Sequence, residues 1–446
     1  MKWCMMNAAN NRWLDYAVLT CAFFLIIHHL DAPRILSDDS YYVVFAASAG
    51  AGDASRQIGI ALLFLYGLLT CLFTKKKILN VGSIQQRLGL AFLVLITVSI
   101  SWSAAPAASL ARWAGFTAYT LAAIGAVKRL STLDLIRWYV LAHSFYLMSG
   151  LINEFLLGTF KPFAEGYRFC GLNDPNSTGT DAVVLIISSV AMLRVKPRSW
   201  LFKATLVTGV PFLLLTKSRA AVLSIVFTLL IFYALVLLRS SRLIPYLSVV
   251  ATVASALLFI YSQDILNFKS SMSLGREEAS ESTMTGRIPL WTELYENNIL
   301  SHPVLGYGYG GFWTPAESDA ISFDQGWTIG MAHSIYIDAT LALGVVGLGL
   351  YLVILISVLL QAVREARLGQ PAAVFFGCLV LGSLLDGITD SGPWINSSIY
   401  LFICIQALVV VSSKQIQTKT KTNNDYAVYQ SRLRLLREET LGEQSI

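Results

Sequence analysis

Charge is what this chain has least of. Asp, Glu, Lys and Arg make up only 13% of its 446 residues, against 55% hydrophobic. Mean hydropathy is +0.61. A water-soluble domain of this composition would lack the polar surface to cover itself, so that class is excluded, and no nucleic acid is expected as a partner. Cysteine is scarce and badly placed for crosslinks: Cys4, Cys21, Cys71, Cys378 and Cys404 lie in or beside apolar runs or near the N-terminus, and Cys170 stands alone in a polar connection. A lone cysteine there cannot staple that connection to another, which rules disulfides out of the design. The five histidines (His28, His29, His143, His302 and His333) are scattered, with no Cys or His pair at zinc spacing. Neither a metal nor a cofactor is expected. Internal repeats are missing too, and with them the inverted-repeat signature of many secondary transporters.

What the chain does have is long apolar runs. Their length matches the roughly 20 residues that cross a bilayer as helix rather than the alternating signal of a membrane barrel, and about twelve can be counted. They fall near 13–30, 57–74, 88–103, 109–127, 135–157, 179–194, 199–216, 219–238, 243–262, 332–360, 372–391 and 396–413. Basic residues then orient them. Arg12, Lys75 to Lys77 with Arg87, Lys128 with Arg129 and Arg137, Arg194 with Lys196 and Arg198, Arg239 with Arg242, Arg364 with Arg367, and Lys414, Lys419 and Lys421 all fall on one side. That side is cytoplasmic by the positive-inside rule, and it places both termini inside. The first apolar run reads as a retained helix, because no small-x-small cleavage pattern follows it. The expected organisation is a membrane domain over 1–413, embedded in the lipid bilayer and including a long external loop at 263–331 between spans 9 and 10, then a polar cytoplasmic tail over 414–446. In the tail, 429–441 has the spacing of a short helix whose arginines suit an anionic leaflet, or else stays solvated.

Three external segments carry the remaining organisation. The first, 31–56, holds Asp38, Asp39 and a short apolar stretch at 41–47 suited to lie along the membrane surface. The second, 159–178, reads TFKPFAEGYRFCGLNDPNST. The third, 263–331, is too long for a mere connector. Within it Ile288 to Leu300 has helical spacing, and Pro303 with Gly306, Gly308, Gly310 and Gly311 ends that helix. The glycine run satisfies G-x-G-x-x-G without the strand and helix a dinucleotide site requires; it is either a flexible turn or a loop whose backbone N–H groups approach a phosphate. Lys217, Ser218 and Arg219 interrupt the apolar runs on either side at a point the topology puts at the outer surface, where a charge inside a span would cost about 2.5–3.5 kcal/mol. An arginine at a span end also snorkels to the interface as a simple anchor.

Four segments together resemble the O-antigen ligase and O-antigen polymerase (Wzy-type) superfamily, which includes polymerases of exopolysaccharide assembly. They are TKSRAAVLS at 216–224, TGRIPLWTELYENNILSHPVLGYGYGGFW at 285–313, AHSIYIDATLALGVVGLGLYL at 332–352 and, less closely, RFCGLNDPNSTGT at 168–180. SWSAAPAASLAR at 101–112 is similar to the early external turn of that superfamily. One departure stands out: where the family commonly has His-Asn at the start of the span, this chain has His333-Ser334.

The resemblance implies an all-α polytopic glycosyltransferase of GT-C-type architecture in a bacterial inner membrane. It would work on the periplasmic face with an undecaprenyl-pyrophosphate-linked glycan as donor, beside a flippase or chain-length regulator of the same pathway. The residues suit that chemistry independently. A sugar leaving a pyrophosphate develops negative charge on the departing oxygens, which paired guanidinium groups can bind in bidentate fashion. Arg219 and Arg287 are the candidates for the pyrophosphate, and His333 for the base, since an imidazole with its usual pKa of about 6.5 suits proton removal from a sugar hydroxyl. Lys217, Trp291, Gly308, Gly310 and Tyr336 are candidate substrate-binding residues. Arg112, Glu154, Asp181, Asp338, Asp386 and Asp390 lie in the outer halves of spans and are expected chiefly to pair structurally. The acceptor is either a second lipid-linked repeat unit, as in a polymerase, or lipid A core, as in a ligase. A transporter or flippase of twelve spans is the rival from another class, but it would need polar residues along the midplane.

Charge alternation makes the topology testable. Reporter fusions after Lys77, Lys128, Arg198, Arg239 and Arg367 should read cytoplasmic, and fusions within 31–56 and 263–331 external. An external signal from Lys77 would overturn the orientation and the placement of the site with it.

Overall fold

A computed structural model describes residues 12–27, 54–76, 83–164, 167–237, 286–391 and 399–412. The apolar stretch at 41–47, Lys77, the expected span 243–262, residues 263–285 of the long loop and the tail from 414 lie outside the described residues. Among the described residues every regular element is helical. The helices are α1 Arg12–Ile27, α2 Ala54–Phe73, α3 Ile84–Ser99, α4 Pro106–Arg129, α5 Thr132–Leu156, α6 Pro175–Val195, α7 Trp200–Leu215, α8 Arg219–Leu237, α9 Arg287–Glu293, α10 Pro315–Gln325, α11 Ile335–Arg367, α12 Pro371–Asp386 and α13 Ile399–Ser412. Six of the helical segments are long and apolar enough to cross a membrane: those at Ala54–Phe73, Ile84–Trp102, Thr132–Leu156, Pro175–Val195, Arg219–Leu237 and Ile335–Arg367. The helices α7, α12 and α13 are apolar but shorter.

Local signals explain the boundaries. Ser131 caps α5 by accepting from the Asp134 N–H, and Asp174 caps α6 by accepting from Asn176 and Ser177 N–H ahead of Pro175 in the first turn. Lys128 and Arg129 close α4 where the macrodipole favours cations. In α12 every residue from Ala372 to Asp386 is buried, as expected for a helix apolar all round in the centre of a bundle. Burial also sorts the outer helices: 28% of the α2 window and 22% of the α3 window are buried against 72% for α6. Thus α2 and α3 turn apolar faces such as Leu69, Leu72, Leu90 and Val94 outward, toward lipid.

The helix ends gather into two polar layers that agree with the charge alternation in the sequence. In one, Arg129 pairs with Asp15 at 2.6 Å, Arg12 and Arg137 flank Asp134, Lys76 and Lys128 donate to the Val127 and Cys71 carbonyls, and Arg367 donates to the Leu235 carbonyl. In the other, Arg112 donates to the Gly310 carbonyl, Glu154 accepts from the Cys170 and Gly171 N–H groups, Arg168 donates to the Thr216 carbonyl, and the Ile335 N–H donates to the Gly387 carbonyl.

The long external loop differs from its expected form in three ways. The helix expected over Ile288 to Leu300 is α9 followed by a wider π turn at Leu294–Ile299. Helix α10 was not anticipated, although Thr314-Pro315-Ala316-Glu317 is a legible start signal: the Thr314 side chain accepts from the Glu317 N–H. The expected continuous span 332–360 is broken at Gly344, which has φ 63 and ψ −168. The physical reason is that chain from the loop enters the break. Val345 and Val346 N–H groups donate to the Pro303 and Val304 carbonyls, and the Tyr307 N–H donates to the Leu341 carbonyl. Backbone groups freed by a broken helix must be satisfied by protein within a bilayer, and the loop does so.

Gly344 is the position that permits this approach, because a Cβ there would stand 2.1 Å from the Val304 carbonyl. Gly344→Ala meets both that clash and a left-handed backbone, so it should lower stability by about 2 kcal/mol or more. A thermal midpoint in detergent equal to that of the parent would show that the loop does not dock in the break.

Candidate functional site

The site begins at two left-handed residues. Gly286, with φ 80, caps α9 and makes Arg287 its first residue. His333, with φ 50, stands just ahead of α11 and outside the span Ile335–Arg367. A non-glycine residue in that region costs about 1–3 kcal/mol and persists only where neighbours over-determine it. The neighbours are visible. Trp291 donates its indole N–H to the Ala332 carbonyl at 2.7 Å. The Ala332 N–H faces both carboxylate oxygens of Asp338 at 3.2 Å, and Asp338 also accepts from the Trp313 indole at 2.7 Å. On the far side the Ile335 N–H donates to the Gly387 carbonyl at 2.8 Å.

The imidazole so held lies beside Trp327, with ring centroids 5.6 Å apart. Trp327 in turn lies over Gly286, where an added Cβ would be 3.1 Å from the indole nitrogen. Burial, and secondarily the Arg287 charge, push the His333 pKa down to about 3. Burial and the Arg287 charge thus move His333 well below the expected value near 6.5 and favour its neutral form.

Arg219 sits on a second turn. Lys217, with φ 48, carries the chain from α7 into α8, and Arg219 is the first residue of α8. The external segment 167–178 is laid over this turn: the Phe169 N–H donates to the Leu215 carbonyl, and Arg168 donates to the Thr216 carbonyl at 3.0 Å and to Asn176 at 2.9 Å. Below Arg219 opens a cleft between α8 and the end of α12, lined by Ala220, Leu223, Ser224 and Phe227 on one side and by Leu385, Asp386, Ile388 and Thr389 on the other. Asp386 lies within electrostatic reach of Arg287. Asp386 thus belongs both to the lining of this cleft and to the electrostatic surroundings of Arg287.

Of the residues expected at a site, Arg287, His333 and Trp291 share one wall, and Arg219, two residues after Lys217, directly precedes Ala220 of the cleft lining. Trp291 has a structural task, holding the peptide ahead of His333, while its side chain stays half-buried. Tyr336 donates its hydroxyl to the Leu384 carbonyl and ties α11 to α12. Gly308 and Gly310 are packing positions. An added Cβ would meet Ser103 at 2.7 Å and the Arg112 side chain at 2.3 Å respectively. Around them the Gly306, Tyr307, Tyr309 and Gly311 N–H groups already bond His302, Leu341, Ser99 and Gly308. A loop so occupied is poorly suited to cradle a phosphate. Asp181 pairs with His143 at 2.9 Å in the interior. Residues that sequence reasoning left out of the site are Trp313, Trp327 and Arg168, and it assigned Asp338 only to pairing; the one signal for Arg168 was its place in the 168–180 segment.

The fold and site define a class: an all-helical polytopic membrane protein that gathers arginines and a histidine at one end of its bundle. Residues 204–352 match the family described as O-Antigen ligase. That stretch runs from α7 past the break in α11 and contains Arg219, Arg287 and His333. The chain is also 27% identical over 334 residues to the Exopolysaccharide production protein ExoQ of Rhizobium meliloti (strain 1021), covering 70% of this chain and 72% of that protein. The resemblance read from the sequence is borne out: the chain carries a segment that matches the O-Antigen ligase family and is similar over most of its length to an exopolysaccharide production protein.

The depressed His333 pKa has a definite sign. Its neutral form is favoured by the fold, so the stability it contributes is present above pH ~6.5 and is lost as pH falls from there toward 3. Ring-labelled protein followed by magnetic resonance should show His333 neutral at pH 5, and Arg287→Gln should move its titration part of the way back up, burial holding the rest. Titration near 6.5 in the parent would remove the buried, Arg287-facing placement.

Proposed function

We propose that this protein is a polymerase of undecaprenyl-pyrophosphate-linked oligosaccharide repeat units in bacterial surface polysaccharide assembly. It would act as a metal-independent glycosyltransferase of GT-C type on the periplasmic face of the inner membrane, with about twelve spans and both termini inside. A flippase that delivers the lipid-linked units, and a chain-length regulator, are its expected partners. The observation that carries the reading is the placement of Arg287 and His333 on one wall, with Arg219 at the start of the helix that lines the cleft containing Asp386.

In this mechanism the acceptor hydroxyl attacks the anomeric carbon of the donor. Its proton passes to the imidazole of His333, and the bond from carbon to pyrophosphate oxygen breaks with its electron pair on the departing oxygen. Arg219 and Arg287 stabilise that charge. The low basicity of His333 is offset on donor binding: an anionic pyrophosphate on Arg287 compensates the charge that helps depress the imidazole, so the base gains proton affinity when the donor is in place. Polymerisation is preferred over ligation because the relative that covers most of this chain bears an exopolysaccharide production name. Transfer to lipid A core is the second reading, favoured by the O-Antigen ligase description of the matched family.

Purified protein given lipid-linked repeat units as its only substrate separates the two. Long chains without any other acceptor support the polymerase, and transfer only when lipid A core is added supports the ligase. His333→Ala should lower the rate by about 10²- to 10⁴-fold with lipid-linked substrate still bound. Wild-type rates from that variant would remove His333 from the chemistry. Arg219→Lys and Arg287→Lys should not restore activity, since a point charge does not replace a two-pronged donor, and a chelator should leave the rate intact. Loss of activity in chelator with recovery on adding a divalent cation would assign the pyrophosphate to a metal instead.

A further inference from the structure

Most of the glycine run GYGYGGFW is buried, and its contacts end on the peptide that carries His333. Arg112, near the start of α4, donates to the Gly310 carbonyl at 3.0 Å and to the Trp313 carbonyl at 3.4 Å, and these bonds fix the loop's exit. Gly310 has no side chain to obstruct the arginine stem. The Trp313 indole, 6% exposed, then donates to Asp338 at 2.7 Å. Asp338 is 1% exposed, and both of its oxygens face the Ala332 N–H. Arg112 and Asp338 also line one small cavity and interact electrostatically, so the buried carboxylate has a counter-charge. A buried anion that collects an indole N–H and a backbone N–H is a rigid anchor, because each donor would otherwise be left unsatisfied.

We propose that Asp338 is a positioning residue for His333: seated by Trp313, its carboxylate grips the Ala332 N–H and so fixes the left-handed backbone that keeps the imidazole beside Arg287. The claim rests on the reading of His333 as the base, and it gives the glycine run a task in place of phosphate binding. Asp338 touches neither donor nor acceptor. Its removal should therefore act on the geometry of proton transfer and leave substrate capture alone.

Full-length protein in proteoliposomes, with lipid-linked repeat units as substrate, tests this with two variants. Asp338→Asn keeps the shape but turns an amide donor toward the donors it should accept, and Trp313→Phe keeps the ring and removes only the N–H. Each should lower kcat, by about 10-fold or more for Asp338→Asn and less for Trp313→Phe, with KM within about 2-fold of the parent. In a His333→Ala background Asp338→Asn should add less than about a 2-fold loss, because it acts through the imidazole that is gone. Unchanged kcat in folded Asp338→Asn, or a raised KM at unchanged kcat, overturns the proposal, as does the same fold-loss with and without His333. Wild-type rates from His333→Ala would instead sink the base reading on which the proposal stands.

Discussion

Lipid offers no hydrogen bonds, and the outer half of this molecule is organised around that constraint. Where α11 breaks at Gly344, the backbone groups that leave the helix need partners from protein, and they find them in residues 303–307 of the external loop. A loop anchored there cannot wander. It carries the glycine run against the turn before α4, places Arg112 on two of its carbonyls, and delivers Trp313 to Asp338. One interrupted helix thereby couples residues 303–313 to the peptide that carries His333.

Electrostatics then explains why such a wall would wait for an anion. An arginine and a buried imidazole side by side favour the neutral histidine. Asp386, in reach of Arg287, gives the guanidinium a partial partner at the end of the most buried helix. The left-handed backbone of His333 is held in the same wall by the bonds around Ala332 and Asp338. Charged groups fixed in advance in this way are how a preorganised site favours charge that develops in a transition state.

Span positions were legible because length, hydropathy and basic residues are one-dimensional quantities; α1 to α8 and α11 to α13 lie where the apolar runs predict. Arg219, Arg287 and His333 were legible through their motif neighbourhood. The break in α11 was not, since Gly344 lies in an apolar run with other glycines, and only the loop that docks there distinguishes it. The glycine run misled for a related reason: residue type showed that backbone comes close to something, but not that the something is Ser103 and Arg112 rather than phosphate. Trp291 and Tyr336 direct their polar atoms to backbone carbonyls, a direction that spacing along a helix does not give. Helix α10 is legible in the sequence from Thr314 to Glu317, where a capping threonine precedes Pro315 in the first turn.

The serine after His333 shows how a departure from a family pattern is read physically. Ser334 is 4% exposed, and its backbone carbonyl accepts from the Asp338 N–H while its hydroxyl lies 3.5 Å from the Gly387 carbonyl. The next N–H, of Ile335, bonds that same Gly387 carbonyl. Position 334 thus fastens the start of α11 to the end of α12, one residue beyond Asp386, and its side chain is directed to packing rather than to the cleft. A side chain in this place acts on the site through the distance it sets between the His333 backbone and the carboxylate at the end of α12. A short hydroxyl permits a close junction there. An asparagine in its place would have to fit a larger amide into the same buried contact, so the serine is bound up with how closely α11 and α12 approach on the wall that holds the base.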